Sequence, residues 1–379
     1  MNRTRISTAF VLAFFVLLLT LFLITSPGVG AATVSDEAAP TESLIPQTKP
    51  AHRQGIVEEG NAVYCYNQDG TMFSGGFKSI STGSSTDYYY FLRNGLAYTS
   101  GYKTVALDGI PYYFFFQANG KAFTGGLKEV SFGEQSYFYF FQKDGKALTA
   151  SWLTLNGVNY YFQPDGRAAR NTFITIDGSL YYFDDTCNPV TGGWFCLDDT
   201  YYYADDAGVL ATNTVIDGYK LDADGKAPTK QRIVQYVMEL TTASMTEQEK
   251  IDALYNWLTE NDTYYISSYE HIQPDWNWPE EWVDDFAVSL MDQWGGNCFR
   301  YAAFFGLLVR EATGLPVTIY HGALPSGSPH GWTTVFQDGQ WYTYDVQQAR
   351  QGESASVCYK VPGPVERLVD GIGTEIYES

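Results

Sequence analysis

Cys298, His330 and Asp345, in the C-terminal third of the chain, have side chains that together could perform nucleophilic catalysis. Cys298 follows two glycines and an asparagine, and it begins an apolar segment that ends at Gly314 and Pro316. This pattern predicts a buried helix with the cysteine in its first turn. The positive end of a helix dipole favours a thiolate, although a small structural cysteine would fit the same local sequence.

A predicted hairpin places the histidine and the aspartate close together. Residues 330–346 alternate in polarity around Asp338-Gly339, a dipeptide typical of two-residue hairpin turns. Pairing outward from this turn puts Trp332 opposite Asp345 and makes His330 the diagonal neighbour of Asp345. The hairpin therefore predicts a carboxylate within hydrogen-bonding reach of a histidine.

This combination is the one that thiol catalysis requires. His330 would take the proton from Cys298 and later return it, while Asp345 would fix the imidazole tautomer. An oxyanion could be stabilised by the backbone N–H of Cys298, with Gln293 or Trp294 as candidate side-chain donors.

The residues around these three positions resemble the transglutaminase-like superfamily, whose fold is that of papain-like cysteine proteases. The resemblance covers about residues 245–350 and is carried by GNCFRYAAFFGLLVREATGLPV, HGWTTV and GQWYTYD. It implies an α+β domain with Cys298, His330 and Asp345 as a catalytic triad. The implied enzyme attacks an amide and forms an acyl-enzyme intermediate. If water attacks this intermediate, the enzyme is a peptidase or amidase; if an amine attacks it, the enzyme is a transglutaminase.

Two readings of this domain remain open. A catalytically inactive relative would keep the same framework, and the protein would then be a non-catalytic surface adhesin or binding protein.

Cys187 and Cys196 either form a local disulfide or are two small buried residues. No Cys-x-x-Cys pair indicates a metal site, so neither a metal nor another cofactor is expected. His52 and His271 have no partner pattern, and His321, at the end of the predicted strand VTIYHG, is expected to lie in the core or behind the site residues.

Upstream of the cysteine, the apolar spacing is helical from Lys230 onward, and Thr246-x-x-Glu249 predicts the capped start of a second helix. The stretch from Gln273 to Asp285 contains three tryptophans and five acidic residues, which predicts an irregular loop. Its tryptophans are expected to pack against the core rather than line a substrate groove.

A repeated frame before this domain accounts for most of the 30 tyrosines of the chain. Aromatic runs are followed by turns that recur at intervals of about 25, then 21 residues, with Cys187 in the place of one turn glycine. Each unit reads as a β-hairpin, and such hairpins must stack to bury their aromatic side chains. The turn glycines are Gly70, Gly95, Gly120, Gly145, Gly166, Gly208 and Gly225.

Residues 60–228, which contain this frame, resemble the cell-wall-binding repeats of Gram-positive bacteria, a family that includes choline-binding repeats and clostridial toxin repeats. The resemblance implies a β-hairpin solenoid that binds a wall polymer or another glycan. Choline sites depend on aromatic faces, and only Trp152 and Trp194 supply tryptophan here. Poor binding of choline is therefore expected, and the alternative to an array that binds a wall polymer or glycan is a purely structural spacer.

The chain is thus predicted to be multidomain. Residues 1–32 are predicted to be a signal peptide, because Arg3 and Arg5 precede an apolar run. Residues 33–59 are predicted to be a flexible linker, and residues 229–379 are predicted to be the transglutaminase-like domain. We expect a secreted or surface-attached protein that contacts a membrane only if the first segment stays uncleaved. The net charge of −20 argues against binding to nucleic acid.

Overall fold

The computed structural model of the chain describes residues 53–260, 278–324 and 326–363, together with the backbone of 264–265 and 369–376. The predicted signal peptide, most of the predicted linker, His52 and His271 lie outside the described residues. Within the described ranges, no helix is both long and apolar enough to cross a membrane.

Eight consecutive β-hairpins form the first part of the structure, each a separate two-stranded antiparallel sheet. The first strand lies in the stretch predicted to be a linker, because Gly55–Glu59 pairs residue by residue with Ala62–Tyr66. The strands are β1 (Gly55–Glu59), β2 (Ala62–Tyr66), β3 (Gly76–Ser81), β4 (Thr86–Phe91), β5 (Gly101–Leu107), β6 (Ile110–Phe116), β7 (Gly126–Phe132), β8 (Gln135–Phe141), β9 (Ser151–Leu155), β10 (Val158–Phe162), β11 (Thr172–Ile176), β12 (Ser179–Phe183), β13 (Gly193–Leu197), β14 (Thr200–Ala204), β15 (Thr214–Ile216) and β16 (Tyr219–Leu221).

The turn that follows each hairpin has the geometry that the repeated frame predicts. All seven turn glycines have left-handed φ angles between 76° and 84°, a region that residues with a Cβ rarely adopt. Cys187, which occupies the equivalent place, has a φ of 67°. The repeat assignment is confirmed, including its irregular member.

Backbone hydrogen bonds and buried rings join successive hairpins. The segment after each turn returns to the preceding hairpin, as where Ala97 N donates to Val63 O at 2.8 Å and Ala122 N donates to Tyr88 O at 2.7 Å. The last residue of a hairpin's second strand packs beneath this segment. In five consecutive hairpins that residue is a phenylalanine with no exposed surface: Phe91, Phe116, Phe141, Phe162 and Phe183.

The second part of the structure packs helices against a five-stranded antiparallel sheet. The sheet order is β22-β21-β20-β19-β23. The helices are α1 (Pro228–Leu240), α2 (Glu247–Glu260), α3 (Trp282–Gln293), α4 (Cys298–Thr313), α5 (Val346–Arg350) and α6 (Ala355–Cys358), and the strands are β17 (Tyr264–Tyr265), β18 (Gly295–Gly296), β19 (Val317–Ala323), β20 (Pro329–Gln337), β21 (Gln340–Tyr344), β22 (Val361–Pro362) and β23 (Val369–Ile376).

Helix α4 lies at the centre of this part and is buried along most of its length. Strands β19 and β20 cover one side of it, and Thr333 Oγ1 of β20 donates to the carbonyl oxygen of Ala302 at 2.9 Å. The core also includes Tyr219 from the last hairpin. The hairpin array therefore continues directly into the core of the second part.

Two predictions about elements before Cys298 have different outcomes. The capping box is confirmed, because Thr246 N donates to the Glu249 carboxylate at 2.8 Å and Glu249 N donates to Thr246 Oγ1 at 3.2 Å. The predicted loop up to Asp285 is wrong at its end, where α3 begins at Trp282. Asp284 and Asp285 lie in the first turn of α3, where the helix dipole favours negative charge.

Candidate active site

Cys298 is the first residue of α4, as its sequence context predicts, and it is buried. Asn297 precedes it in an extended conformation, and the Asn297 side chain accepts a hydrogen bond from Arg300 N at 3.3 Å. This contact caps the helix without using the N–H of Cys298. The helix ends at Thr313 and is followed by Gly314, whose φ is 72°.

His330 lies on β20 and reaches both the aspartate and the cysteine. Its Nε2 is 2.6 Å from Asp345 Oδ2, and both side chains are buried. The Cys298 thiol lies 4.0 Å from the carbonyl oxygen of Pro329, the residue before the histidine, and its side chain interacts with His330. Because Asp345 engages Nε2, Nδ1 is the ring nitrogen left for the thiol.

The hairpin that carries these residues departs from the predicted register at its open end. Pairing is regular from Gln337–Gln340 to Thr333–Tyr344 and then stops. Trp332 does not pair with Asp345, because Asp345 leaves the strand and caps α5 through a hydrogen bond that its Oδ1 accepts from Gln348 N at 3.0 Å. One carboxylate therefore caps a helix with Oδ1 and orients the imidazole with Oδ2.

The charge environment keeps His330 protonated near neutral pH. Burial by itself lowers the pKa of His330, but hydrogen bonds and Coulombic attraction to Asp345 and Cys298 outweigh burial and raise it to about 10. The Gln348 side-chain amide lies 3.4 Å from His330 Nε2 and adds a polar neighbour that the sequence did not reveal.

Gly331 allows β20 to approach the first turn of α4. A Cβ at this position would lie 2.7 Å from Phe299 Cδ1, 3.0 Å from Phe299 Cα and 3.2 Å from Phe299 N. Two of these atoms belong to the helix backbone, which cannot move as a side chain can. The glycine thus sets the separation between the histidine strand and the cysteine helix.

Gly331→Ala is expected to push His330 away from Cys298. Overpacking of this kind costs about 1–3 kcal/mol of folding free energy, which should lower the melting temperature moderately. The displaced imidazole should also slow alkylation of Cys298. Thermal unfolding and iodoacetamide labelling, measured on the same preparation, separate the two effects. Wild-type labelling and stability in this variant would contradict the close approach.

The two candidate oxyanion donors, Gln293 and Trp294, are exposed residues at the α3–α4 connection, and the side chain of each contacts neighbouring residues. Gln293 Oε1 accepts a hydrogen bond from Arg300 Nη1 at 2.7 Å. Trp294 has a left-handed backbone, with a φ of 48°, and its ring contacts those of Tyr236 and Trp257. Their proposed role as oxyanion donors stays a prediction.

His321 and the described tryptophans of the predicted loop belong to the core. The His321 ring stacks on that of Trp278 with centroids 4.4 Å apart, and Trp282 is buried beside them. Burial lowers the pKa of His321 to about 4, so its ring is neutral at pH 7. The expectation that these tryptophans pack against the core is confirmed for Trp278 and Trp282.

All five cysteines lie in the described part of the chain, and none forms a disulfide. The two cysteines of the array, Cys187 and Cys196, do not form the local disulfide, and the alternative of two small buried residues holds for Cys187 but not for Cys196, which is exposed. Among the described residues, no cluster of three or more histidine, cysteine, aspartate or glutamate side chains is arranged to hold a metal ion.

Comparisons with known families match both parts of the chain. Residues 149–186 match the choline-binding repeat family, and residues 234–346 match the transglutaminase-like superfamily. The second match includes Cys298, His330 and Asp345. No curated protein matches the chain.

Several solved structures are similar to the hairpin array. CbpF, a choline-binding protein of Streptococcus pneumoniae solved with ipratropium, is 22% identical over 46% of this chain and 59% of its own, with a TM-score of 0.34. The modular autolysin LytC of the same organism is 15% identical over 46% of this chain and 41% of its own, with a TM-score of 0.28. A choline-binding domain from Streptococcus pneumoniae is 32% identical over 21% of this chain and 94% of its own, with a TM-score of 0.20.

This chain thus spans less than two thirds of the first two of these structures. The family matches confirm both resemblances found in the sequence. In order along the chain, a hairpin array that matches the choline-binding repeat over residues 149–186 is followed by a part that matches the transglutaminase-like superfamily over residues 234–346.

Proposed function

We propose that the protein is a secreted or surface-attached thiol enzyme that acts on peptide or side-chain amides by acyl transfer. The observation that carries this proposal is the position of His330, which contacts Asp345 and Cys298 at the first turn of a buried helix. Its repeats imply attachment to the cell wall or surface, and its transglutaminase-like domain is compatible with thiol catalysis.

The proposed reaction has two steps. Cys298 Sγ attacks the carbonyl carbon of an amide, and His330 donates a proton to the nitrogen as the C–N bond breaks and the amine leaves. The acyl group remains on sulfur as a thioester. Water or a second amine then attacks the thioester, gives its proton to His330 and restores the free Cys298, with release of an acid or a new amide.

Asp345 holds the imidazole during both steps. Its Oδ2 binds Nε2, so Nδ1 is the atom that exchanges protons with sulfur, leaving amine and incoming nucleophile. The cap on α5 and the hydrogen bond that Asp345 N donates to Cys358 O at 2.8 Å fix the carboxylate in turn. These contacts limit rotation of the histidine away from the thiol.

The test of this function uses the full chain and a peptide library that contains glutamine, with and without a primary amine. Mass spectrometry distinguishes cleavage, deamidation and isopeptide formation, and so separates peptidase, amidase and transglutaminase activity. Cys298→Ser is the matched control and should give none of these products. A folded wild-type protein that yields no product with any class of peptide would favour the non-catalytic adhesin.

A cleft near the end of the array supports binding of a glycan. Phe173, Leu180 and Tyr202 line it with apolar surface, and the exposed Asp224 and Lys226 add charged groups. An aromatic face beside polar groups suits a sugar ring, which has one apolar face and hydroxyls at its edge. Wall polymer or glycan is therefore the proposed ligand of the array.

The full chain carrying Cys298→Ser is expected to sediment with purified Gram-positive cell walls, since this variant binds without modifying them. Phe173→Ala, which removes an aromatic wall of the cleft, should weaken sedimentation several-fold. Millimolar choline should elute the protein poorly. Absence of binding would favour a structural spacer, and ready elution by choline would contradict the expectation from the few tryptophans.

A further inference from the structure

Lys230, in the first turn of α1, is buried where the hairpin array meets the second part of the structure, with only 6% of its surface exposed. Lysine is almost never buried this deeply unless its charge is compensated. Its Nζ contacts the carboxylate of Glu311, which lies on α4. This carboxylate balances the charge of the ammonium group, but it contacts that group from one side, so the other sides need further neighbours.

Three aromatic rings from the last two hairpins also contact this ammonium. Lys230 Nζ is 4.7 Å from the ring centroid of Trp194, 4.8 Å from that of Tyr219 and 5.6 Å from that of Tyr201. All three distances lie within the range of cation–π attraction, which is strongest at desolvated sites. The ammonium is thus enclosed by a three-ring aromatic cage.

Two rings of the cage, Trp194 and Tyr219, also make contacts with residues other than the lysine. Trp194 Nε1 donates to Asp217 Oδ2 at 2.8 Å, and the Tyr219 hydroxyl donates to Glu311 Oε2 at 3.4 Å. The Trp194 and Tyr219 rings meet edge to face with centroids 5.8 Å apart. These contacts orient the Trp194 ring without the lysine, and they hold the Tyr219 hydroxyl on the same Glu311 oxygen that Lys230 contacts.

We propose that Trp194, Tyr201 and Tyr219 form an ammonium-binding site of the array and that the chain fills it with its own Lys230. The occupant comes from α1, so cation binding by the last hairpins fixes the second part of the structure on the array. The same occupancy closes this site to small ammonium ligands from solution.

The array uses its own lysines in a similar way elsewhere. Lys103 Nζ lies 4.6 Å from the Tyr90 ring centroid and 5.0 Å from that of Tyr98. Lys128, one repeat later, lies over two phenylalanines. These lysines are half-exposed and contact two rings each, whereas Lys230 is buried against three rings and a carboxylate.

The test measures binding of tetramethylammonium chloride to the full chain by calorimetry at constant ionic strength. Lys230→Ala empties the cage and leaves Glu311 in place, so this variant should bind one equivalent more than wild type, with millimolar affinity. Lys143→Ala removes a charge at an exposed position and should bind as wild type does. Adding Trp194→Leu to Lys230→Ala should abolish the extra equivalent.

A second variant keeps the proposal testable if Lys230→Ala does not fold. Lys230→Met keeps an apolar stem in the cage but lacks the charge, so it should bind no extra tetramethylammonium and should melt several degrees below wild type. Equal stability of Lys230→Met and wild type would overturn the proposal, as would a folded Lys230→Ala with no extra equivalent. Neither result depends on whether the protein is an enzyme.

Discussion

Cys298→Ser is expected to abolish turnover while leaving the fold almost unchanged. Serine is nearly isosteric with cysteine, and its hydroxyl can interact with the nearby carbonyl of Pro329, so we expect little change in the free energy of unfolding. A serine hydroxyl beside an imidazolium is, however, a far poorer nucleophile than a thiolate. Activity should therefore fall below detection at an unchanged melting temperature.

Iodoacetamide labelling at mildly acidic pH measures the reactivity of Cys298 directly. The experiment is best done in a Cys196→Ser background, because Cys196 is exposed and would also react. The background protein should be labelled stoichiometrically, and the variant that also carries Cys298→Ser should not. A structural cysteine would give the opposite pattern, with an inert thiol and a clear loss of stability on substitution.

Asp345→Asn is expected to lower turnover by about 10³–10⁴-fold. Asparagine caps a helix about as well as aspartate, so α5 should keep its capped first turn. The substitution therefore removes the charge next to His330 while preserving the local fold. His321→Ala, in contrast, removes a core ring and should lower stability much more than turnover.

The pH dependence of stability gives a second measure of the same pair. The folded-state pKa of His330, about 10, lies above the ordinary value of 6.5. Its contribution to stability is thus fully present below about pH 6.5 and is lost as the pH rises towards 10. Chemical denaturation across this window should show a decline in wild type that is much smaller in Asp345→Asn; equal declines would contradict the assigned pairing.

Local patterns in the sequence predicted most of the elements that position the site. The repeated turns identified the hairpins because each turn has its own left-handed residue, even where Cys187 replaces glycine. The apolar run after Cys298 identified α4, and Asp338-Gly339 fixed the hairpin register near the turn. In each case, neighbouring residues alone determine the conformation.

Features that depend on distant residues were not predictable in this way. Strand β21 ends at Tyr344, before Asp345, because the Asp345 carboxylate caps the next helix, which simple alternation does not reveal. The need for glycine at position 331 arises from Phe299, on another element. Lys230 looked like an ordinary helix residue, because its aromatic neighbours lie in the preceding hairpins.

Helix α4 also fixes the distance between the docking contact on the array and the proposed catalytic thiol. Its Glu311 end lies at the aromatic cage of the array, and its other end carries Cys298. At 1.5 Å per helical residue, the sulfur-bearing end is about 20 Å from the point of docking. Because Lys230 already fills the cage, this length separates the thiol from the contact that docks its domain on the array, and a wall polymer would be held at the other, open cleft of the array.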